Sequence, residues 1–229
     1  MIILVFDTET TGLPETKILN PDTLNLWPYI VQFSYIIFDT DKNDIILSSD
    51  TIVKLKKEII IPEETTKIHG ITNELSQTKG NNISVILTKF LEHLKNVDLL
   101  VGHNISFDIN MVKIEILRLI YENTLKNRLK DYKYYFHFLT NYKNIYCTLQ
   151  ETVELCNIKG VNKFGKDYIK YPKLQELHQK LFESVPNNLH NSFNDILVTL
   201  RCFMKLKYDI DLNKSCSNFI NTANVLEIF

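Results

Sequence analysis

Ile2-Ile3-Leu4-Val5-Phe6-Asp7-Thr8-Glu9-Thr10-Thr11-Gly12-Leu13 opens with five apolar residues, then two acids one residue apart, then a glycine. An unbroken apolar run of this length reads as a strand buried on both faces. It has neither a basic leader nor a small-residue cleavage site, so a first strand is expected here rather than a signal peptide. Residues two apart on a strand share a face, so Asp7 and Glu9 aim into one site while Thr8 points away. Paired carboxylates repel unless a cation lies between them, and an all-oxygen donor set favours Mg2+ or Mn2+. A plain polar loop also fits the two acids taken alone. The string D-x-E-T-T-G, however, has a chance frequency of about one in a million positions at average residue usage. Gly12 permits a tight turn directly after the acids, which brings backbone N–H groups close to whatever is bound there.

Around this strand, 229 residues with 45% hydrophobic content suit a single α/β domain with a sizeable core. No apolar stretch approaches the roughly 20 residues that span a bilayer, so no membrane segment is expected. Cys147, Cys156, Cys202 and Cys216 form no CxxC pair and no zinc spacing. Reduced thiols in an intracellular setting, cytoplasmic or nuclear, are the expectation. A net charge of −1 argues against a protein that coats nucleic acid in bulk. Any polyanion must be met by local basic clusters or bound metal.

Ile30 to Phe38 and Ile45 to Val53 read as strands separated by the turn signal DTDKND, making a three-stranded meander with the first strand. A short helix is predicted from Pro62 to near Gly70. A second runs from a Ser84 cap to Leu94, with Ile86, Phe90 and Leu94 at helical spacing. Leu99 to Val101 is another buried strand, followed by a helix over about Phe107 to Tyr121, a brief strand near Ile145, and helices at Leu174 to Phe182 and Ser192 to Lys207. This order predicts a mixed sheet flanked by helices.

Leu99 to Asp108, LLVGHNISFD, carries a buried strand into a helix start, where α/β sheets place ligands. Asp108 falls on the first helical turn, a place the helix dipole favours for an acid whatever its function. Asn104 or Ser106 is a candidate cap. His190-Asn191-Ser192-Phe193-Asn194-Asp195 repeats the ambiguity: Asn191 or Ser192 can cap, and Asp195 is a first-turn acid. Phe193, Leu197, Leu200 and Met204 supply that helix's core stripe, and His190 precedes it on a loop.

Together the three segments resemble the DnaQ-like 3′–5′ exonucleases of the DEDDh group. Asp7 to Leu13 is similar to the family's first motif, His103 to Asp108 to its second, and His190 with Asp195 five residues later to its third. Ile68-His69-Gly70-Ile71-Thr72 is similar to the HGIT segment, and Cys147 before Thr148 departs from the Asp-Thr of many relatives. The resemblance spans about residues 1 to 207, leaving 208–229 as a C-terminal tail. It implies a ribonuclease H-like fold with a five-stranded mixed sheet and hydrolysis assisted by two divalent ions, Mg2+ or Mn2+. Asp7 would bridge both ions, Glu9 and Asp195 would complete their shells, and Asp108 would act directly or through water. His190 would be general base toward water. Thr10, Thr11, Leu13, Asn104 and Phe107 are implied contacts of the terminal nucleotide, with His69 a further one.

The expected activity is release of nucleoside 5′-monophosphates from the 3′ end of single-stranded or frayed DNA, in proofreading or repair. An RNA-trimming exonuclease and a non-catalytic, polymerase-associated nucleic-acid-binding module are the alternatives. Lysines and aromatics interleave from Lys126 to Lys143 and from Lys159 to Lys173, a mixture that tracks a single strand or else makes solvated loops with the rings turned inward. The tail, ending Asn224-Val225-Leu226-Glu227-Ile228-Phe229, is expected to pack on its own domain, with docking to a polymerase or clamp as the other reading.

Overall fold

A computed structural model describes residues 1–121 and 129–229. Its main sheet holds β1 (Ile2–Thr10), β2 (Ile30–Asp39), β3 (Asp44–Ile52), β4 (Leu99–Gly102) and β5 (Ile145–Cys147) in the order β3-β2-β1-β4-β5. The β1–β2 and β2–β3 pairs are antiparallel, while β4 and β5 run parallel to β1 and to each other. This is the expected five-stranded mixed sheet, with β1 at its centre.

Before β4 come α1 (Glu63–His69), α2 (Asn73–Lys79) and α3 (Ile83–Leu94); after it come α4 (Ile105–Tyr121) and α5 (Leu129–Asn141). Past β5 lie α6 (Thr148–Glu151), α7 (Val153–Cys156), a hairpin of β6 (Lys159–Val161) and β7 (Asp167–Ile169), then α8 (Leu174–Phe182), α9 (Ser192–Tyr208), α10 (Leu212–Ser215) and α11 (Ser217–Val225).

Strand alternation divides the core in two. Leu4 and Phe6 face α3 and α4, where Phe90 meets Phe6 at 5.0 Å and Phe33 at 4.9 Å between ring centroids. Ile3 and Val5 face the other way, onto Leu197, Leu200 and Met204 of α9. All these side chains are fully buried, and each contributes about 1.5–3 kcal/mol by leaving water. Because α9 is also covered by α8 and α11, it is apolar beyond the expected stripe, with Ile196, Val198 and Phe203 equally buried.

Several local expectations change. The cap of α3 is Asn82, not Ser84: its side chain accepts the Ser84 N–H, so Ser84 sits inside the helix. The second long helix begins at Ile105, two residues before Phe107, because a Cβ on Gly102 would lie 2.9 Å from that of Ile105 and only glycine lets β4 turn so sharply. Of the Lys126 to Lys143 stretch, 126–128 lie outside the described residues. The part from 129 is helical, and Tyr132 and Tyr135 turn inward, which removes them from any base-stacking surface. At the chain end Ile228 is buried and the Phe229 ring stacks on His178 at 5.2 Å. The four cysteines are free thiols.

A buried clamp fixes the segment between β1 and β2. Arg118 of α4 donates to the carbonyls of Leu24, Trp27 and Pro28 and to Glu115 at 2.7 Å, with its guanidinium 3.7 Å from the Tyr29 ring centroid. Removing one member of a buried pair leaves unsatisfied groups and costs about 3–5 kcal/mol. Arg118→Met should therefore lower the unfolding free energy by about 3 kcal/mol or more in urea titration, while Lys67→Ala, in an exposed pair with Glu63, should change it by less than about 0.5 kcal/mol. Equal small effects would mean that the clamp adds no stability.

Candidate active site

The carboxyl end of β1 sets the geometry. In its register with β2, Asp7 lies opposite Ser34 and Glu9 opposite Gln32, and a bulge between Glu9 and Thr10 then breaks the ladder. Bulges of this kind re-aim side chains beside functional sites. Asp7 and Glu9 share the odd-numbered face of β1 with Ile3 and Val5, the face that α9 covers.

The amino end of α9 is docked onto β2 by polar groups in an otherwise apolar strand. The Asn191 side chain caps the helix, accepting from the N–H groups of Phe193 and Asn194. Gln32 accepts the Ser192 N–H and donates to Asn191, and the Ser34 and Ser192 hydroxyls meet at 2.7 Å. Since Ser34 donates to Asp50 at 2.7 Å, Ser192 is the donor to Ser34. Gln32 also donates to Asp50, at 2.8 Å. This network turns the first turn of α9 toward β1. As a result Asp7, Glu9 and Asp195 each offer an oxygen within 4.8 Å of the others.

Asp108 arrives from the opposite side of the strand. Its Oδ1 accepts the Thr8 N–H at 3.0 Å and the Thr8 hydroxyl at 2.7 Å, so the residue that points away from the acids holds the fourth carboxyl in place. The structure thus leaves Asp108 outside the close trio, although its charge is felt by Asp7.

Burial raises every one of these carboxyls. Asp7 and Glu9 keep an edge open to solvent, yet protein surrounds most of each group. Desolvation is the leading cause in all four cases: Glu9 is pushed up to about 8, Asp108 and Asp195 to about 7, and Asp7 well above the usual carboxylate range. Repulsion from Asp108, Asp195 and Glu9 adds to the effect on Asp7. Three carboxylate oxygens in reach of one another, without nitrogen or sulfur donors, fit a hard divalent cation, which would reverse the penalty.

His190 is exposed, one residue before the α9 cap, and its backbone N–H donates to Asp195 at 3.3 Å. Its φ of +67° is the left-handed region that a side chain rarely adopts, and such backbone clusters at functional sites. Asn104, between β4 and α4, is exposed with φ of +65°. Thr10 bonds the Gly12 carbonyl at 2.7 Å, Thr11 pairs with the Tyr29 backbone, Leu13 stands 82% exposed, and Phe107 is half-buried. His69, at the end of α1, is buried. Its Nδ1 accepts the Ile71 N–H, which puts the proton on Nε2; burial lowers the pKa of the imidazole, and a hydrogen bond to the Thr10 backbone opposes that shift.

Sequence reasoning missed Gln32 and Ser34, whose only signal is polar residues at alternate places in Ile30-Val31-Gln32-Phe33-Ser34-Tyr35, and Asp50 of β3, which has none. It also missed the role of His103. Burial keeps that imidazole neutral, lowering it to about 4, so Nε2 donates to the Pro172 carbonyl at 3.0 Å and Nδ1 accepts from the Thr148 hydroxyl at 2.9 Å.

An open mixed sheet with acids gathered at the end of its central strand defines a ribonuclease H-like nuclease. The RNase T family model, described as an exonuclease, matches residues 4–203, and the chain belongs to that DnaQ-like exonuclease family. Solved structures agree in fold. An Exonuclease I from Methylocaldum szegediense is 16% identical, with a TM-score of 0.58 over 93% of this chain and 42% of that one. E. coli Exonuclease I in complex with a dA16 oligonucleotide is 17% identical, with a TM-score of 0.58 and the same coverage. The chain thus spans less than half the length of these structures. Comparison with curated proteins finds no match.

The raised carboxyls give a pH signature. An acid whose folded pKa lies above its unfolded value of about 4 binds more protons when folded, so its stabilising effect is complete below about pH 4 and is lost as pH rises through about 7–8. The metal-free protein should therefore melt at a lower temperature at pH 8 than at pH 5, and Asp7→Asn should melt above the parent at pH 8. Thermal melts in EDTA test this; a variant that melts no higher than its parent at pH 8 would contradict it.

Proposed function

We propose that this protein is a divalent-metal-dependent 3′–5′ exonuclease that removes nucleoside 5′-monophosphates from DNA 3′ ends. The observation that carries the reading is the convergence of Asp7, Glu9 and Asp195 within 4.8 Å, backed by Asp108. In this reading Asp7, Glu9 and Asp195 hold two Mg2+ or Mn2+ ions, and Asp108 supports the set directly or through water. When bound, such ions lower the pKa of water and stabilise charge on the leaving oxygen. His190 takes the proton from the attacking water, and its exposure lets that proton pass to solvent. The water oxygen bonds to phosphorus, and the bond from phosphorus to the 3′ oxygen of the preceding nucleotide breaks.

The terminal nucleotide is gripped where β1 ends. Leu13 supplies an exposed apolar contact for the base, and His69 is a further proposed contact. Thr10, Thr11, Asn104 and Phe107 complete the proposed contacts. Single-stranded or frayed DNA is favoured because a fold neighbour, E. coli Exonuclease I, is seen with dA16. Among the described residues no helix is long and apolar enough to cross a membrane, and four free thiols fit a reducing intracellular setting.

Single-stranded DNA labelled at either end should release labelled mononucleotide at once from the 3′ label and a descending ladder from the 5′ label, with Mn2+ and not with EDTA. Asp7→Ala should lower kcat by about 10³-fold or more, and His190→Ala by about 10²–10⁴-fold. Faster trimming of the matching RNA would move the substrate class to RNA. Absence of mononucleotide with either metal, or an Asp7→Ala rate equal to the parent's, would overturn the proposal.

A further inference from the structure

The β6–β7 hairpin is an outlier on this surface. Residues 159 to 173 hold five lysines against one aspartate in a chain of net charge −1. The sequence left open whether the aromatics here turn inward; Phe164 is 76% exposed and Tyr171 62%. A two-stranded ribbon has little core of its own, and apolar rings left outward on one reduce its solubility without adding stability.

The ribbon is nevertheless firmly built. At the tip, Asn162 Oδ1 accepts from the N–H groups of Phe164 and Lys166, and Gly165 takes φ of +75°. These bonds present Phe164 between Lys163 and Lys166. On one face Tyr168 lies over Gly160, where an added Cβ would sit 3.0 Å from its ring, so glycine lets the ring lie flat against the strand. At the base, Lys170 pairs with Glu176 at 2.6 Å, and two residues on Pro172 accepts the His103 bond. That bond ties the hairpin to the turn that carries Asn104 and leads into α4, the helix of Asp108.

We infer that this hairpin binds the single strand behind the 3′ end, its lysines on phosphates and its exposed rings stacked on bases. The inference rests on the exonuclease reading for its direction toward the site. Positive charge interleaved with open ring faces matches a polyanion whose bases are unpaired. The His103 anchor places that surface in continuity with the second motif. Exposed rings beside the lysines favour unpaired bases on a phosphate chain over an acidic protein segment, which offers charge without bases to stack.

The test uses the full chain, a fluorescein-labelled oligothymidylate of about 20 nucleotides, and a thymidine dinucleotide. In EDTA, Lys163→Glu with Lys166→Glu should weaken binding of the longer strand about tenfold or more and reduce the salt slope of log K by about 1.4, at about 0.7 per lost phosphate contact. Phe164→Ala should weaken binding about fivefold or more and leave the slope unchanged. With Mn2+, KM on the long strand should rise while kcat on the dinucleotide stays at the parent value, which also shows that the variants fold. Unchanged affinity and slope would overturn the inference even if nucleotides are still released. Hairpin-dependent binding without nucleotide release would sustain it and sink the exonuclease reading instead.

Discussion

Four carboxyl groups taken out of water at the end of one strand constrain the whole molecule. Their charges cannot coexist there without protons or cations, as the raised pKa of each one shows. Holding them together therefore requires a rigid frame. β1 supplies the centre because it is buried on both faces, and each face carries a helix that brings an acid to the site: α4 behind Thr8 and α9 in front of Asp7 and Glu9. Neither helix is positioned by apolar packing alone. The Thr8–Asp108 pair fixes the first, and the Gln32–Ser34–Asp50 network fixes the second.

Much of this could be read directly from residues. The run Ile2 to Phe6 followed by Asp7-x-Glu9 gave a strand and its two acids because a period of two leaves few alternatives. Asp108 and Asp195 were legible as first-turn acids, while their opposite approach to β1 was not, since it depends on which sheet face each helix covers. Gln32 and Ser34 were hidden for a related reason: a polar residue in a buried strand has meaning only once its neighbour across the interface is known. Whether Tyr132 and Tyr135 turn inward could not be decided from sequence, because interleaved lysines fit a strand-tracking surface and a helix whose other face is buried equally well. The Lys159 to Lys173 stretch stood out by composition, but its hairpin did not, because the two strands bury almost nothing and no hydrophobic pattern announces them.

Two of the eight non-glycine residues with left-handed φ among the described residues lie beside the same centre. Asn104 and His190, which precede the helices carrying Asp108 and Asp195, both adopt left-handed φ. Asparagine tolerates this well; histidine does so at greater cost. The turn points the His190 backbone N–H at Asp195 and leaves the residue exposed to water. The Arg118 clamp, farther away, secures Tyr29, whose backbone holds Thr11 in the turn after the acids.

The central claim is that the strand end is a divalent-cation site whose carboxyls are partly protonated when metal-free. Calorimetric titration of Mn2+ into the metal-free protein near pH 7.5, in two buffers of different ionisation enthalpy, tests it most directly. The account predicts binding with proton release, so the apparent enthalpy differs between buffers, and about tenfold or greater loss of affinity in Asp7→Asn. No binding, or binding with the same heat in both buffers, would contradict it.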